Sequence, residues 1–292
     1  MARNAFIQVA LYRQPASGRI VGRMTDRAKQ FHGLHRADRA LVLANAWDAA
    51  SARLIEARGA KAIATTSAGL AWSRGYPDGD AIPLRHLAAA VEDVVRVVSV
   101  PVTVDMEGGY SSDPAAVGEN VAAVVGAGAV GINIEDGQGS VDLLCAKIDH
   151  AKKAAARSGV DVFVNARTDV LLRGLVPKER AVEEAILRAR RYRDAGCDGF
   201  FVPLLAEPAA IRAVVGGTPL PVNVMVLPNL PPVAELAALG VRRVSAGAAI
   251  SIAAYSVTAR AATRLFEDGL YDAMFEASAT SYGELNALLK RA

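Results

Sequence analysis

Cysteine is scarce in this chain of 292 residues: Cys145 and Cys197 are the only two. Their spacing makes neither a metal-ligand pair nor a disulfide framework, which points to free thiols in a reducing, cytoplasmic setting. Cys145 sits in the apolar helical context Leu143-Leu144-Cys145-Ala146 and reads as a buried, inert thiol. Aromatic residues are equally sparse at 5% against 52% hydrophobic residues, so the core is built from Ala, Val, Leu and Ile, which suits helices packed around a parallel sheet. Charge of one sign is missing too. The net charge is +3, and the basic residues form no stripe with interleaved aromatics, which argues against nucleic acid as a partner. No apolar run approaches the roughly 20 residues that cross a bilayer, so no membrane partner is expected. Acidic residues are absent from residues 1–25, which carry Arg3, Arg13, Arg19 and Arg23. That segment reads as an N-terminal extension, disordered or loosely docked, an organellar import signal being the other reading of its composition. Residues 26–292 then form a single domain.

What is present is a repeating alternation. Eight short apolar runs, at 41–46, 62–66, 102–106, 131–135, 162–166, 199–203, 222–226 and 243–246, are read as strands. Between them lie Ala-rich segments of helical spacing, among them 49–58, 84–98, 115–126, 182–195 and 232–238. Several helices run into a glycine turn, as in Ala57-Arg58-Gly59-Ala60 and Asp194-Ala195-Gly196-Cys197, where glycine stops the helix and turns the chain back to the sheet. Strict alternation requires parallel strands with right-handed crossovers, hence a closed barrel or an open doubly wound sheet. No Gly-x-Gly-x-x-Gly follows the first strand, which disfavours the dinucleotide-binding version of the open sheet. The predicted fold is an α/β (β/α)8 TIM barrel. Helical pattern continues at 248–267 and 270–289, an excess over a plain barrel, and Leu270, Met274 and Leu285 need a surface to cover, for which a neighbouring subunit is a reasonable candidate.

In such a barrel the C-terminal ends of the strands meet the substrate. Three ends are rich in polar groups: Val-Asp-Met-Glu-Gly-Gly-Tyr at 104–110, Asn-Ile-Glu-Asp at 133–136 and Asn-Ala-Arg-Thr-Asp at 165–169. Asp105, Glu107 and Glu135 would bring three negative charges to one mouth, which demands protons or a cation. An oxygen-only set favours Mg2+ or Mn2+ over zinc. The structural alternative is that these acids cap helices or pair with arginines. Arg167 and Asn165 would line the mouth beside Glu135, the guanidinium gripping a substrate carboxylate or, in the plainer alternative, pairing with Asp169 or Glu135. Thr65-Thr66-Ser67-Ala68-Gly69-Leu70 is a run of small residues whose N–H groups and hydroxyls can cradle an anion, or simply make a turn.

Taken together, Asn45-Ala46-Trp47-Asp48-Ala49-Ala50-Ser51-Ala52 and the runs at 65–70, 104–110, 131–136 and 165–169 resemble the isocitrate lyase and phosphoenolpyruvate mutase superfamily. The resemblance spans about 31–256. It implies an (α/β)8 barrel, usually a tetramer whose last helices are exchanged between subunits, with Mg2+ bound to a 2-oxo acid or its enolate. It implies that Asp105 is the main metal ligand, with Glu107 in place of a more common Asp and Glu135 completing the set, partly through water. Thr66, Ser67 and Ala68 match the run that holds the substrate carboxylate. Asp78 matches a site aspartate, Arg167 the substrate-binding arginine, and Trp47 and Asp48 fall at the mouth. With the resemblance, Asp78, Glu135 and Arg167 are the expected catalytic residues, and Trp47, Thr66, Ser67, Ala68, Asp78, Asn165 and Arg167 the expected substrate contacts.

The departures from that family are as informative. The lyases' Lys-Lys-Cys-Gly-His or Lys-Arg-Cys-Gly-His loop is replaced by Asp-Gly-Gln-Gly-Ser-Val-Asp at 136–142, and the sixth and seventh strands end in the apolar Val202-Pro203-Leu204 and Val224-Met225-Val226. The phosphonate mutases' Asn-Ser loop pair is not evident. Leu204, Met225 and Ser245 are expected to set substrate size. The expected function is a Mg2+-dependent carbon-carbon lyase acting on a small 2-oxo or 2-hydroxy acid in a homo-oligomer. The alternatives are a carboxyphosphonoenolpyruvate or phosphoenolpyruvate mutase-like enzyme, and a barrel that binds a 2-oxo acid without turning it over.

Overall fold

The structure, a computed structural model, describes residues 18–276 and 279–290. Its strands are runs of two to five residues, mostly apolar and rich in Val and Ile, and most are buried on both faces as parallel strands are. In chain order they are β1 (Leu41–Leu43), β2 (Asn45–Ala46), β3 (Ile63–Thr65), β4 (Val102–Asp105), β5 (Gly131–Glu135), β6 (Phe163–Arg167), β7 (Gly199–Phe201), β8 (Val222–Met225) and β9 (Arg243–Ser245). All are parallel, in the order β1-β9-β8-β7-β6-β5-β4-β3-β2. The first expected strand is split at Ala44, with its two halves pairing on opposite sides, β1 with β9 and β2 with β3. The eight runs therefore close into a (β/α)8 barrel. Asn45 joins the seam, donating from Nδ2 to Thr65 O at 2.8 Å and accepting the Gly247 N–H at 3.0 Å.

The helices are α1 (Gly18–Leu34), α2 (Ala49–Ala57), α3 (Ser67–Ser73), α4 (Leu84–Val97), α5 (Pro114–Gly126), α6 (Val141–Arg157), α7 (Val170–Arg173), α8 (Ala181–Asp194), α9 (Pro208–Gly217), α10 (Val233–Ala238), α11 (Ala249–Thr263), α12 (Asp272–Glu276) and α13 (Tyr282–Lys290). Helix α1 runs through residue 25, where the sequence placed the end of an extension; residues 1–17 lie outside the described ones. Ala28, Phe31 and His35 repeat at helical spacing and are buried. Phe31 meets Phe163 edge-on with centroids 5.4 Å apart, and His35 stacks on Phe163 at 3.9 Å. The segment thus plugs the end of the barrel where the strands begin.

The chain beyond β9 departs from the barrel. Helix α11 ends in a π turn at Arg264–Asp268, and the helical stretch expected at 270–289 is two helices, α12 and α13. Helix α13 lies on α2, where Arg53 Nε donates to Leu288 O at 3.1 Å. Most of α11 to α13 is exposed, including Ile252, Phe266, Tyr271, Phe275 and Tyr282.

Candidate active site

The strand ends surround a cavity of about 170 Å3 at the barrel mouth. On one side, β3 turns into α3, so Thr66, Ser67 and Ala68 present small side chains and backbone at the rim. The Thr65 hydroxyl accepts the Asp105 N–H at 3.0 Å and fixes the end of β4. The Asp105 carboxylate faces the cavity and is hydrogen-bonded by Ser67. Asp78 reaches the same space from the following loop. Of the residues expected from sequence, Thr66, Ser67, Ala68, Asp78, Asp105 and Arg167 line the cavity. Trp47, Glu107, Glu135 and Asn165 do not line it.

Glu107 is 5% exposed and held by the loop that ends β4. It takes the Asp80 backbone N–H on Oε2 and the Tyr110 hydroxyl on Oε1, the latter at 3.0 Å. That loop is tight. Glu107, Gly109 and Tyr110 have φ of 48°, 91° and 58°, and two of the three pay the steric cost of a left-handed backbone with a side chain, a kind of strain that collects at functional sites. Lys147 braces it by donating to Gly108 O at 2.6 Å.

Burial pushes the Glu107 carboxyl up to about 7, with Asp78 and Asp105 adding to the rise. Burial pushes Glu135 up to about 8, against the pull of Arg167 and with the help of Asp105, Asp169 and Glu107. Asp105 is raised by burial as well, while Arg167 and the Ser67 hydrogen bond draw it back. The acids thus favour the protonated form, and a cation beside them would take the place of the proton. Their oxygen donors suit a hard divalent cation. Among the described residues, no three such side chains converge on one point as a ready ligand set, because Glu107 and Glu135 rest on protein partners. Asp105 alone of the three opens directly on the cavity.

Arg167 bridges the cavity and the acids behind it. Its Nη1 is 2.6 Å from Glu135 Oε2, and its Nε donates to Asp169 Oδ1 at 2.7 Å. Both pairings that the sequence offered as the plainer alternative are therefore made, and the arginine also lines the cavity. Burial lowers its pKa, but Glu135, Asp169 and Asp105 outweigh that and keep the cation firmly charged.

Two motif residues turn out to hold the scaffold. Asp136 is buried and accepts from Thr168 Oγ1 at 2.7 Å, Asp169 N at 2.8 Å, Arg188 Nη1 at 2.8 Å and Tyr192 Oη at 2.6 Å, tying the ends of β5 and β6 to α8. Asp48 caps α2, accepting the Ser51 N–H at 2.6 Å while the Ser51 hydroxyl accepts from Asp48 N at 3.1 Å. The far wall is apolar, formed by Leu172, Phe201, Pro203 and Met225, with Ser245 beside them. Met225 and Ser245, two of the residues expected to set substrate size, both line the cavity. Leu204, at φ 63°, turns away into a neighbouring apolar hollow of about 510 Å3.

Sequence reading missed the layer under the mouth. Arg243, 1% exposed, donates from Nη2 to Asn133 Oδ1 at 3.0 Å. Asn165 Nδ2 donates to Asn133 Oδ1 and to Asn223 Oδ1, both at 3.0 Å. Asn223 Nδ2 donates to Val224 O at 2.7 Å and Ser245 Oγ at 3.2 Å. Asn165 is thus a member of this row and not of the cavity wall. A signal existed in the Asn of three strands, but only registry shows that they meet.

A parallel barrel whose strand ends carry buried acids and an arginine around a small cavity has the layout of a barrel enzyme. The sequence signature described as phosphoenolpyruvate phosphomutase matches residues 31–266. The chain belongs to that family, within the phosphoenolpyruvate mutase and isocitrate lyase superfamily of lyases and mutases. An uncharacterized protein of Mycobacterium tuberculosis is 39% identical over 240 residues, 82% of this chain and 89% of that one. The 2-methylisocitrate lyase of Aeropyrum pernix is 34% identical over 181 residues, 59% of this chain and 56% of its own. A solved structure of a candidate phosphonomutase from Burkholderia cenocepacia is 43% identical, superposes with a TM-score of 0.77, and is matched over 80% of this chain and 98% of its own.

Proposed function

We propose that this protein is a Mg2+-dependent lyase that breaks a carbon-carbon bond in a small 2-oxo or 2-hydroxy acid. The observation that carries the reading is the meeting of Asp105, Arg167 and the Thr66-Ser67-Ala68 turn in one cavity of about 170 Å3. A space of that size with an apolar far wall takes a short acid more readily than a tricarboxylate. Asp105 would hold the cation directly, with Glu107 and Glu135 reaching it through water; Mn2+ would serve as well. When bound, the cation supplies positive charge against the enolate that forms as the carbon-carbon bond breaks. The Thr66-Ser67-Ala68 turn holds the substrate carboxylate by backbone N–H and hydroxyl donors. Arg167, held in place by Glu135 and Asp169, would orient the acid by its positive charge. Asp78, exposed at the rim, stands where a group can exchange a proton with a bound acid. Leu172, Phe201 and Pro203 keep water from the reacting carbon.

The test is incubation of the purified protein with oxaloacetate and 2-alkylmalates, followed by proton NMR for the released 2-oxo acid. Release that needs Mg2+ and stops with EDTA is the expected result, and release indifferent to EDTA contradicts the mechanism. The similarity to a candidate phosphonomutase supports a second reading, cleavage of a carbon-phosphorus bond, which phosphorus NMR on phosphonopyruvate separates from the first. A homo-oligomer, dimer or tetramer, formed through the apolar surface of α11 to α13, and a cytoplasmic location belong to the same proposal. Among the described residues, no helix is long and apolar enough to cross a membrane.

A further inference from the structure

We infer that Asn133 is a substrate-orienting donor on the floor of the mouth, and that Arg243 is the positioning residue that sets which way its amide points. The inference rests on the keto-acid reading above and names a further contact in that site. A guanidinium donates and never accepts. The Asn133 atom 3.0 Å from Arg243 Nη2 must therefore be the carbonyl oxygen. That oxygen also faces Asn165 across 3.0 Å, so Asn165 turns its NH2 to Asn133, and the same NH2 donates to Asn223 Oδ1. Asn223 must then point its own NH2 at Val224 O and Ser245 Oγ. One arginine fixes the polarity of three amides on three strands.

The consequence falls on the cavity side. Asn133 lines the mouth, and its oxygen is committed to the row beneath. Its Nδ2 donates to no acceptor among the described residues, and it is absent from the sealed, unpaired atoms of the interior. Strand registry sets Asn133 beside Asp105 on β4. Two N–H groups are thus offered next to the acid that opens on the cavity, where a carboxylate or enolate oxygen of a 2-oxo acid accepts them.

The burial of Arg243 is hard to explain by packing. Among the described residues, its Nε and Nη1 are sealed from solvent with no partner and no carboxylate is paired with it; Asp105 is the charge that it senses. A buried cation left this way is costly, and an apolar side chain of similar volume would fill the space without that cost. An apolar side chain would not hold the amide row in one direction.

Calorimetric titration with oxalate, a planar mimic of the enolate of a 2-oxo acid, in the presence of Mg2+ tests the inference. Asn133→Asp keeps an oxygen for Arg243, which also neutralises the added charge, and removes the donor. Its thermal midpoint should match or exceed that of the unchanged protein while oxalate affinity falls about tenfold or more, the loss of a hydrogen bond to a charged group. Arg243→Met frees the amide to turn and should weaken oxalate by about five- to tenfold, whereas Arg243→Lys, still a pure donor, should stay within about threefold. The double variant Asn133→Asp with Arg243→Met should bind no more weakly than Asn133→Asp alone. Affinity of Asn133→Asp within about twofold of the unchanged protein overturns the inference, as does an Arg243→Met loss of the same factor in both backgrounds. The Asn133→Asp result decides by itself if Arg243→Met does not fold. Mg2+-dependent oxalate binding that ignores Asn133→Asp overturns this inference alone. Binding by the unchanged protein that ignores Mg2+ overturns the keto-acid reading and this inference with it.

Discussion

At the scale of single residues, the site is governed by carboxylates that have too little company. Glu107 and Glu135 sit near 7 and 8, well above the 4.5 of an unperturbed glutamate, chiefly because burial disfavours their charge. A carboxyl raised in the folded state holds a proton that the unfolded chain has already released. The metal-free protein therefore loses stability as pH rises from about 4.5 to about 8, and the loss levels off above that. A divalent cation beside these groups replaces the proton. Millimolar Mg2+ should raise the thermal midpoint more at about pH 8 than at about pH 6, and Asp105→Ala should remove the rise at both. An equal rise at both pH values, or one that survives Asp105→Ala, would show that the cation binds elsewhere. Asp105 and Arg167 were legible from sequence because each is a polar residue at the end of an apolar run. Asp48 and Asp136 stand in the same motifs, with no role assigned to them there. Their engagement with the cap of α2 and with Tyr192 and Arg188 depends on neighbours that no local pattern reveals.

At the scale of elements, the alternation of strand and helix was readable almost throughout, since glycine turns and apolar runs mark both ends of most units. The reading faltered where a position answers to the barrel interior. Arg242 and Arg243 stand side by side where β9 begins, and only the pleat of the closed barrel decides that Arg243 points inward. Helix α1 was hidden by its arginines, although Phe31 carries it into the barrel. Its insertion requires Gly131 on β5: a Cβ there would lie 2.6 Å from Phe31 Cε1 and 2.8 Å from Thr103 Oγ1. Gly131→Ala should therefore destabilise the protein by about 1–3 kcal/mol in urea unfolding, the usual penalty for overpacking a filled core. Leu204 illustrates the same difficulty at β7, where the positive φ swings it out of the mouth and leaves Pro203 on the wall.

At the scale of the whole molecule, the barrel is complete in its core and incomplete at its C-terminal surface. Phe266, Phe275 and Tyr282 are 82%, 71% and 85% exposed, an apolar display larger than isolated surface residues explain. Light scattering on the purified protein should give the mass of a dimer or tetramer of 30.5 kDa chains, and replacing Phe266 and Phe275 with Ser should lower it. A monomer at micromolar concentration would leave that surface without the proposed partner. The central claim concerns the mouth. A crystal grown with Mn2+ and oxalate, examined by anomalous diffraction, locates the cation directly. The account predicts one anomalous peak against the Asp105 carboxylate, with Glu107 and Glu135 joined to it through water and oxalate between it and Arg167. A peak bound away from Asp105, or none at saturating Mn2+, would contradict it.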